Sequence, residues 1–220
     1  MKIKVIITGA TGMVGEGVLQ ECLQNPQVEQ ILLINRKPIG YQHPKIKEHL
    51  LPDFFNLNGL QEELRDYDAC FFCLGISSLG MKEEDYKKTT YDLTLNFAQA
   101  YAQAKPQGIF CYVSGAGTDS SEQGNSMWAR VKGKTENDLL KLPLQVYNFR
   151  PAFMKPFKNA KNVKGILKVI TGLYPILRPF NRSYFLTLEE VGKAMINVSI
   201  HGYAKHILET KDIAFMSNTK

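Results

Sequence analysis

Three glycines stand at intervals of three in Thr8-Gly9-Ala10-Thr11-Gly12-Met13-Val14-Gly15. An apolar run, Ile3-Lys4-Val5-Ile6-Ile7, leads into them, and a segment of helical period, Val14 to Asn25, leads out. Residues of this kind bind; they do not make bonds. The glycines let a backbone turn sharply, approach a pyrophosphate closely and pack helix against strand. The helix start offers N–H groups and a partial positive charge to phosphate. Twenty positions beyond Gly15, after the apolar run Ile31 to Ile34, stand Asn35, Arg36 and Lys37. A βαβ unit places its ribose-reading residue there. An acid at that point would accept the ribose 2′-OH and repel a 2′-phosphate, whereas positive charge favours NADP(H) over NAD(H). The plainer reading of Arg36 and Lys37 is a solvated loop.

The thiols offer less. Cys70 and Cys73 form a CxxC inside the strand-like run Ala69 to Leu74, and Cys22 and Cys111 stand far away in the chain. Residues three apart on a strand face opposite sides, so no shared metal is expected and the four read as core thiols.

These groups need a scaffold, and the chain alternates strand and helix signals in the order that supplies one. Asn25-Pro26 closes the first helix. Ile46 to Leu51 reads as a third strand ending at Asp53-Phe54, Leu57 to Leu64 as a short helix, and Tyr67 to Leu74 as a buried strand entering Gly75. Glu84 to Ala104 carries one long helical pattern. Ile109 to Val113 is a strand running into Ser114-Gly115-Ala116-Gly117, Met127 to Lys141 a helix, and Leu144 to Phe149 a strand ending at Arg150-Pro151. Thr187-Leu188-Glu189-Glu190 is a capping box opening a last long helix, and His206 to Leu208 is a final short strand. Such alternation predicts an α/β fold, a doubly wound parallel sheet with helices on both faces. Residues 1–150 read as the dinucleotide-binding core and 151–220 as a small C-terminal lid or substrate region packed on it.

The bulk numbers agree with a globular chain. At 220 residues, 44% hydrophobic and 22% charged, it can bury a full core. No run of about 18 apolar residues predicts a membrane span, and Met1-Lys2 runs straight into a strand, so a cytoplasmic protein without a signal peptide is expected. The net charge of +6 is local: Leu139 to Leu188 holds nine Lys and Arg and no acid, leaving −3 for the rest (6 − 9).

The glycine turn, the strand Asp68-Ala69-Cys70-Phe71-Phe72-Cys73-Leu74-Gly75, the stretch Tyr112-Val113-Ser114-Gly115-Ala116-Gly117-Thr118-Asp119 and the block Met127-Trp128-Ala129-Arg130-Val131-Lys132-Gly133-Lys134-Thr135-Glu136 together resemble the atypical short-chain dehydrogenase/reductase superfamily. The closer likeness is to bacterial NAD-dependent epimerase/dehydratase-like and Tat-interacting oxidoreductase-like proteins, over nearly the whole chain. The resemblance implies a Rossmann-like sheet in the strand order 3-2-1-4-5-6, with Ser114 at the substrate carbonyl and Lys132 on the nicotinamide ribose. It also implies Asp53 and Phe54 near adenine, Leu74 and Gly75 along the diphosphate and ribose, and Pro151 and Phe153 beside the nicotinamide. One position departs: the superfamily's Tyr-x-x-x-Lys holds Trp128, four residues before Lys132 and so on its helical face. In that scheme the lysine lowers the phenol's pKa so that it exchanges a proton while hydride moves. Indole is only a donor and cannot take this part. Trp128 is left to stack on the nicotinamide, cover a substrate or pack under a loop, with Tyr86, Tyr91, Tyr112 or a relay through Ser114 as other proton sources.

The acid-free stretch mixes its cations with Val163, Ile166, Leu167, Ile170 and Leu173. It suits a small anionic substrate with an apolar body, an anionic lipid surface, a self-association patch such as a homodimer contact, or a solvated face. No nucleic-acid module is present. The expected function is an NADP(H)-binding oxidoreductase or epimerase-like enzyme of unknown substrate. Its rival is a catalytically silent NADP(H)-sensing regulatory or assembly protein, which Trp128 favours.

Overall fold

The computed structural model describes residues 2–155 and 185–219. Its centre is a seven-stranded sheet in the order β3-β2-β1-β4-β5-β6-β9, every neighbouring pair parallel. The strands are β1 (Ile3–Thr8), β2 (Val28–Asn35), β3 (Ile46–Leu50), β4 (Ala69–Phe72), β5 (Ile109–Val113), β6 (Gln145–Arg150) and β9 (Ile207–Glu209). The first six follow the expected order, and the final short strand is a seventh, registered against β6 from Asn148↔Ile207 to Arg150↔Glu209. Two more strands, β7 (Phe153–Lys155) and β8 (Phe185–Thr187), pair with each other apart from this sheet.

Central strands of a parallel sheet are covered on both faces, which is why their sequences run apolar without a break. Successive residues divide between the faces. Val5, Ile7, Ile31, Leu33, Phe71, Cys111 and Phe149 pack with α1 (Met13–Gln24), α6 (Leu188–His201) and α7 (Thr210–Ser217). Ile6, Leu32, Ile34, Cys70, Phe72, Phe110, Tyr112 and Val146 pack with α2 (Gln61–Arg65), α4 (Leu93–Ala104) and α5 (Met127–Leu139). Cys70 and Cys73 accordingly lie on opposite faces.

Several boundaries differ from the sequence pattern. The long helical pattern is α3 (Glu83–Lys87), a π-helical turn (Lys88–Asp92) and α4, because one residue is inserted into the i→i−4 ladder there. The helix expected over 57–64 is reduced to α2, since Leu57-Asn58-Gly59-Leu60 makes a turn in which Leu60 N–H donates to Leu57 O at 3.2 Å. In residues 185–219, β9 extends the sheet, and α6 packs along α1 and begins with the expected capping box, Glu190 N–H to Thr187 Oγ1 at 3.1 Å. The basic and apolar residues 156–184, on which the lid and its partners were expected to depend, lie outside the described residues.

Candidate functional site

The loops that follow β1, β2, β4, β5 and β6 meet at the carboxyl edge of the sheet, where a doubly wound fold binds its ligands. At one side is the glycine turn. Gly9 has φ +71°, and a Cβ there would stand 2.9 Å from the Leu74 nitrogen. A Cβ on Gly15 would lie 2.2 Å from the Gly9 oxygen. Both positions exclude a side chain, one by conformation and one by contact. Gly12 begins α1 with no side-chain cap, and the first intrahelical bond is Glu16 N–H to Gly12 O at 2.8 Å. The N–H groups of Met13, Val14 and Gly15 precede it and have no carbonyl one turn back. Thr8 is buried beneath the turn, and its Oγ1 has no hydrogen-bond partner among the described residues. An uncapped helix start and a turn shaped for close approach fit the diphosphate of a dinucleotide.

The position expected to read a ribose is more involved than a loop of three polar residues. Arg36 and Lys37 are exposed beside the turn. Asn35 is buried at 3% exposure, and its side chain is spent within the protein: Oδ1 accepts from Ala10 N–H at 3.3 Å and Nδ2 donates to Glu48 Oε1 at 3.1 Å. Asp53 Oδ1 closes its own turn on Phe55 N–H at 2.9 Å. The Phe54 side chain sits in the core, its ring 6.1 Å from that of Phe97. Leu74 abuts Gly9, Gly75 is exposed, and Pro151 O accepts from Ala116 N–H at 3.0 Å. Phe153 packs edge-on to Phe185, with centroids 5.6 Å apart.

The other side of the edge is built from charge. Trp128, Lys132 and Glu136 descend one face of α5 at intervals of four. Trp128 is half-buried against Gly117, where an added Cβ would be 3.5 Å from Cη2. Lys132 Nζ donates to the carbonyl of Ser114 and lies 3.5 Å from that of Val113. Burial lowers its ammonium to about 8, against an upward pull from Glu136. Glu136 is fully buried. It is held by Arg150, whose Nε reaches Oε1 at 3.0 Å and Oε2 at 3.1 Å and whose Nη2 reaches Oε2 at 2.5 Å. The same guanidinium donates to Ser120 Oγ at 2.5 Å and Glu209 Oε1 at 3.2 Å. One ion pair thus joins α5, β6, β9 and the loop after β5.

Ser114 belongs to that network. Its hydroxyl lies 2.5 Å from Glu136 Oε1 and 3.1 Å from Phe149 O, and with a single proton to donate it must turn to meet a substrate. The tyrosines considered as proton sources stand elsewhere. Tyr86 and Tyr112 are each 1% exposed, and burial pushes both phenols upward. Tyr91 donates to Asp138 Oδ2 at 2.7 Å on the outer side of α5. The sequence reading missed Glu136, Ser120, Glu209 and Glu48 as parts of this edge; only Glu136 had a local sign, its place one turn beyond Lys132.

The fold is that of nicotinamide-dependent epimerases and short-chain dehydrogenases. The Helicobacter pylori ADP-L-glycero-D-manno-heptose-6-epimerase superposes with a TM-score of 0.68 at 14% identity, covering 96% of this chain and 80% of that one. A Burkholderia cenocepacia short-chain dehydrogenase in complex with NADP gives 0.66 at 15% identity, covering 97% and 92%. The Bordetella bronchiseptica enzyme WbmF in complex with NAD+ gives 0.67 at 14%, covering 100% and 80%. Among curated proteins, the leucinostatins biosynthesis cluster protein T of Purpureocillium lilacinum is 27% identical over 121 residues, half of this chain and 42% of that protein. Protein FMP52, mitochondrial, of Debaryomyces hansenii is 23% identical over 204 residues, 90% of this chain and 88% of that one. The chain thus aligns with less than half the length of the first of these relatives. No family model matches the chain. Among the described residues no helix is long and apolar enough to cross a membrane.

Proposed function

We propose that this protein is an NADP(H)-dependent oxidoreductase or epimerase-like enzyme acting on a small molecule. The observation that carries the reading is the uncapped start of α1 behind a turn that admits only glycine at Gly9 and Gly15. The likeness in fold to proteins solved with NAD or NADP supports a nicotinamide cofactor. The exposed Arg36 and Lys37 support the phosphorylated form.

The nicotinamide would supply or accept hydride at the carboxyl ends of β4, β5 and β6. The N–H groups of Met13, Val14 and Gly15 hold the diphosphate, and Lys132, anchored at the Ser114 carbonyl, holds a ribose hydroxyl. Ser114 contacts a substrate carbonyl by turning its hydroxyl away from Glu136. Trp128 shapes the pocket wall over Gly117 and excludes water there. The acid-free stretch of the sequence supports an anionic substrate with an apolar body.

Titration of the purified protein with NADPH and NADH, followed by the emission of Trp128, the chain's one tryptophan, tests binding. NADPH oxidation across a panel of carbonyl substrates tests turnover. Tight NADPH binding with turnover supports the proposal, and tight binding without turnover across the panel rejects the enzyme. Trp128→Tyr sharpens the result, since a gain in reductase rate shows that the missing phenol limits the chemistry.

A further inference from the structure

Glu48 lies on the edge strand β3, away from every motif, yet two parts of the nucleotide site hang from it. Its Oε1 accepts from Asn35 Nδ2 and from Ile39 N–H, each at 3.1 Å. Asn35 in turn accepts from Ala10 N–H inside the glycine turn, at 3.3 Å. The two ends of an asparagine amide have nearly the same shape, and their hydrogen-bond partners decide which way it points. Glu48 carries an acceptor-only carboxylate and therefore takes the NH2 end, leaving the oxygen for Ala10. A flipped amide would set N–H against N–H under the turn. Ile39 lies just beyond Arg36 and Lys37, so the second bond to the same oxygen tethers the basic loop to β3.

We propose that Glu48 is a positioning residue that sets the preference for NADP(H), acting through Asn35 on the glycine turn and through Ile39 on the loop that carries Arg36 and Lys37. The inference rests on the NADP(H) reading above. It differs from that reading in placing the determinant of preference on a neighbouring strand, in an acid that the sequence at 35–37 does not display.

The test compares NADPH and NADH affinities of the wild type, Glu48→Ala and Glu48→Gln by fluorescence titration, with thermal unfolding to show that each variant folds. In Glu48→Ala we expect NADPH affinity to fall about tenfold, the effect of losing one well-made hydrogen-bonded support, and NADH affinity to fall about threefold or less. Glu48→Gln keeps a carbonyl oxygen facing both N–H donors and restores the wild-type ratio. A mere loss of fold would lower both affinities together. An unchanged ratio in Glu48→Ala, or equal damage in Glu48→Gln, overturns the inference. So does a wild type that binds the two nucleotides equally, which leaves the nicotinamide site standing. A wild type that binds neither rejects the parent reading instead. If Glu48→Ala does not fold, Glu48→Thr, too short to reach Asn35 and well suited to a strand, answers the same question.

Discussion

The two sides of the carboxyl edge are made of different material. The β1–β2 side is mostly backbone, with N–H groups at the start of α1 and a turn that excludes side chains at Gly9 and Gly15, beside the exposed cations Arg36 and Lys37. On the β5–β6 side they are buried side chains, with Glu136 and Arg150 clasped to each other and Lys132 pressed against a carbonyl. A phosphate site built from backbone is indifferent to pH and costs little to assemble, because its donors are orphans of the helix in any case. A site built from buried charge is rigid and depends on every partner, since a charge left unpaired in the interior is expensive. Substitutions should therefore fail differently on the two sides.

The largest effect is expected at Gly15. The methyl of Gly15→Ala would sit 2.2 Å from the Gly9 oxygen, and relief requires opening the turn. Overpacking costs up to ~3 kcal/mol, which corresponds to a loss of about a hundredfold in nucleotide affinity if it falls wholly on binding. Titration with NADPH measures it. Affinity within threefold of the wild type would remove the glycine turn from the site.

On the charged side, Glu136→Ala leaves Arg150 buried without its carboxylate. Breaking a buried pair costs about 3–5 kcal/mol, and denaturant unfolding should show it. Replacing both partners, as Glu136→Leu with Arg150→Met, should recover a large part of that loss, because the apolar pair has no desolvation cost. If the double variant is as unstable as the single, the network acts through Ser120 and Glu209 more than through the pair itself.

This contrast also explains what the sequence disclosed. The glycine turn is legible because all its parts lie within eight residues and its neighbours in the chain are its neighbours in space. Alternation of strand and helix signals discloses the parallel sheet, but not its strand order, which two doubly wound folds of the same alternation do not share. Glu136 and Arg150 are 14 residues apart, and Arg150 and Glu209 are 59 apart, so nothing local marks them as partners. Arg150 looked like one of nine cations awaiting an anion, and it is already paired. Asn35 was expected at a ribose from its place in the chain, whereas its side chain points inward to Glu48 on another strand. Trp128 was legible as a departure, although its contact with Gly117 was not.

Lys132→Met should produce a smaller effect with a definite sign in pH. Burial lowers the folded-state pKa to about 8 from an ordinary 10.5. Between those values the unfolded chain binds the extra proton and the folded one does not, so this group makes the wild type more stable as pH rises through the window. Below about 8 the lysine is charged in both states and its burial penalty is fully present. The shift corresponds to about 3 kcal/mol at most. The stability of Lys132→Met relative to wild type should therefore be most favourable at pH 7 and decline by up to that amount by pH 11. A difference that stays flat with pH would place Nζ in water.

The smallest expected effect on stability, and the sharpest test of the backbone side, is Arg36→Ala. Its side chain is exposed, and such substitutions usually change stability by less than about 0.5 kcal/mol. If the guanidinium reads a 2′-phosphate, NADPH affinity falls about tenfold, the loss of roughly one charge-assisted contact, while NADH affinity is unchanged. Raising the salt concentration should shrink the difference between the nucleotides in the wild type and leave the variant nearly insensitive, because an exposed charge pair is screened and a backbone N–H contact much less so. Equal losses for NADPH and NADH would instead make Arg36 a support for the loop and leave the phosphate preference to Lys37 or to no side chain at all.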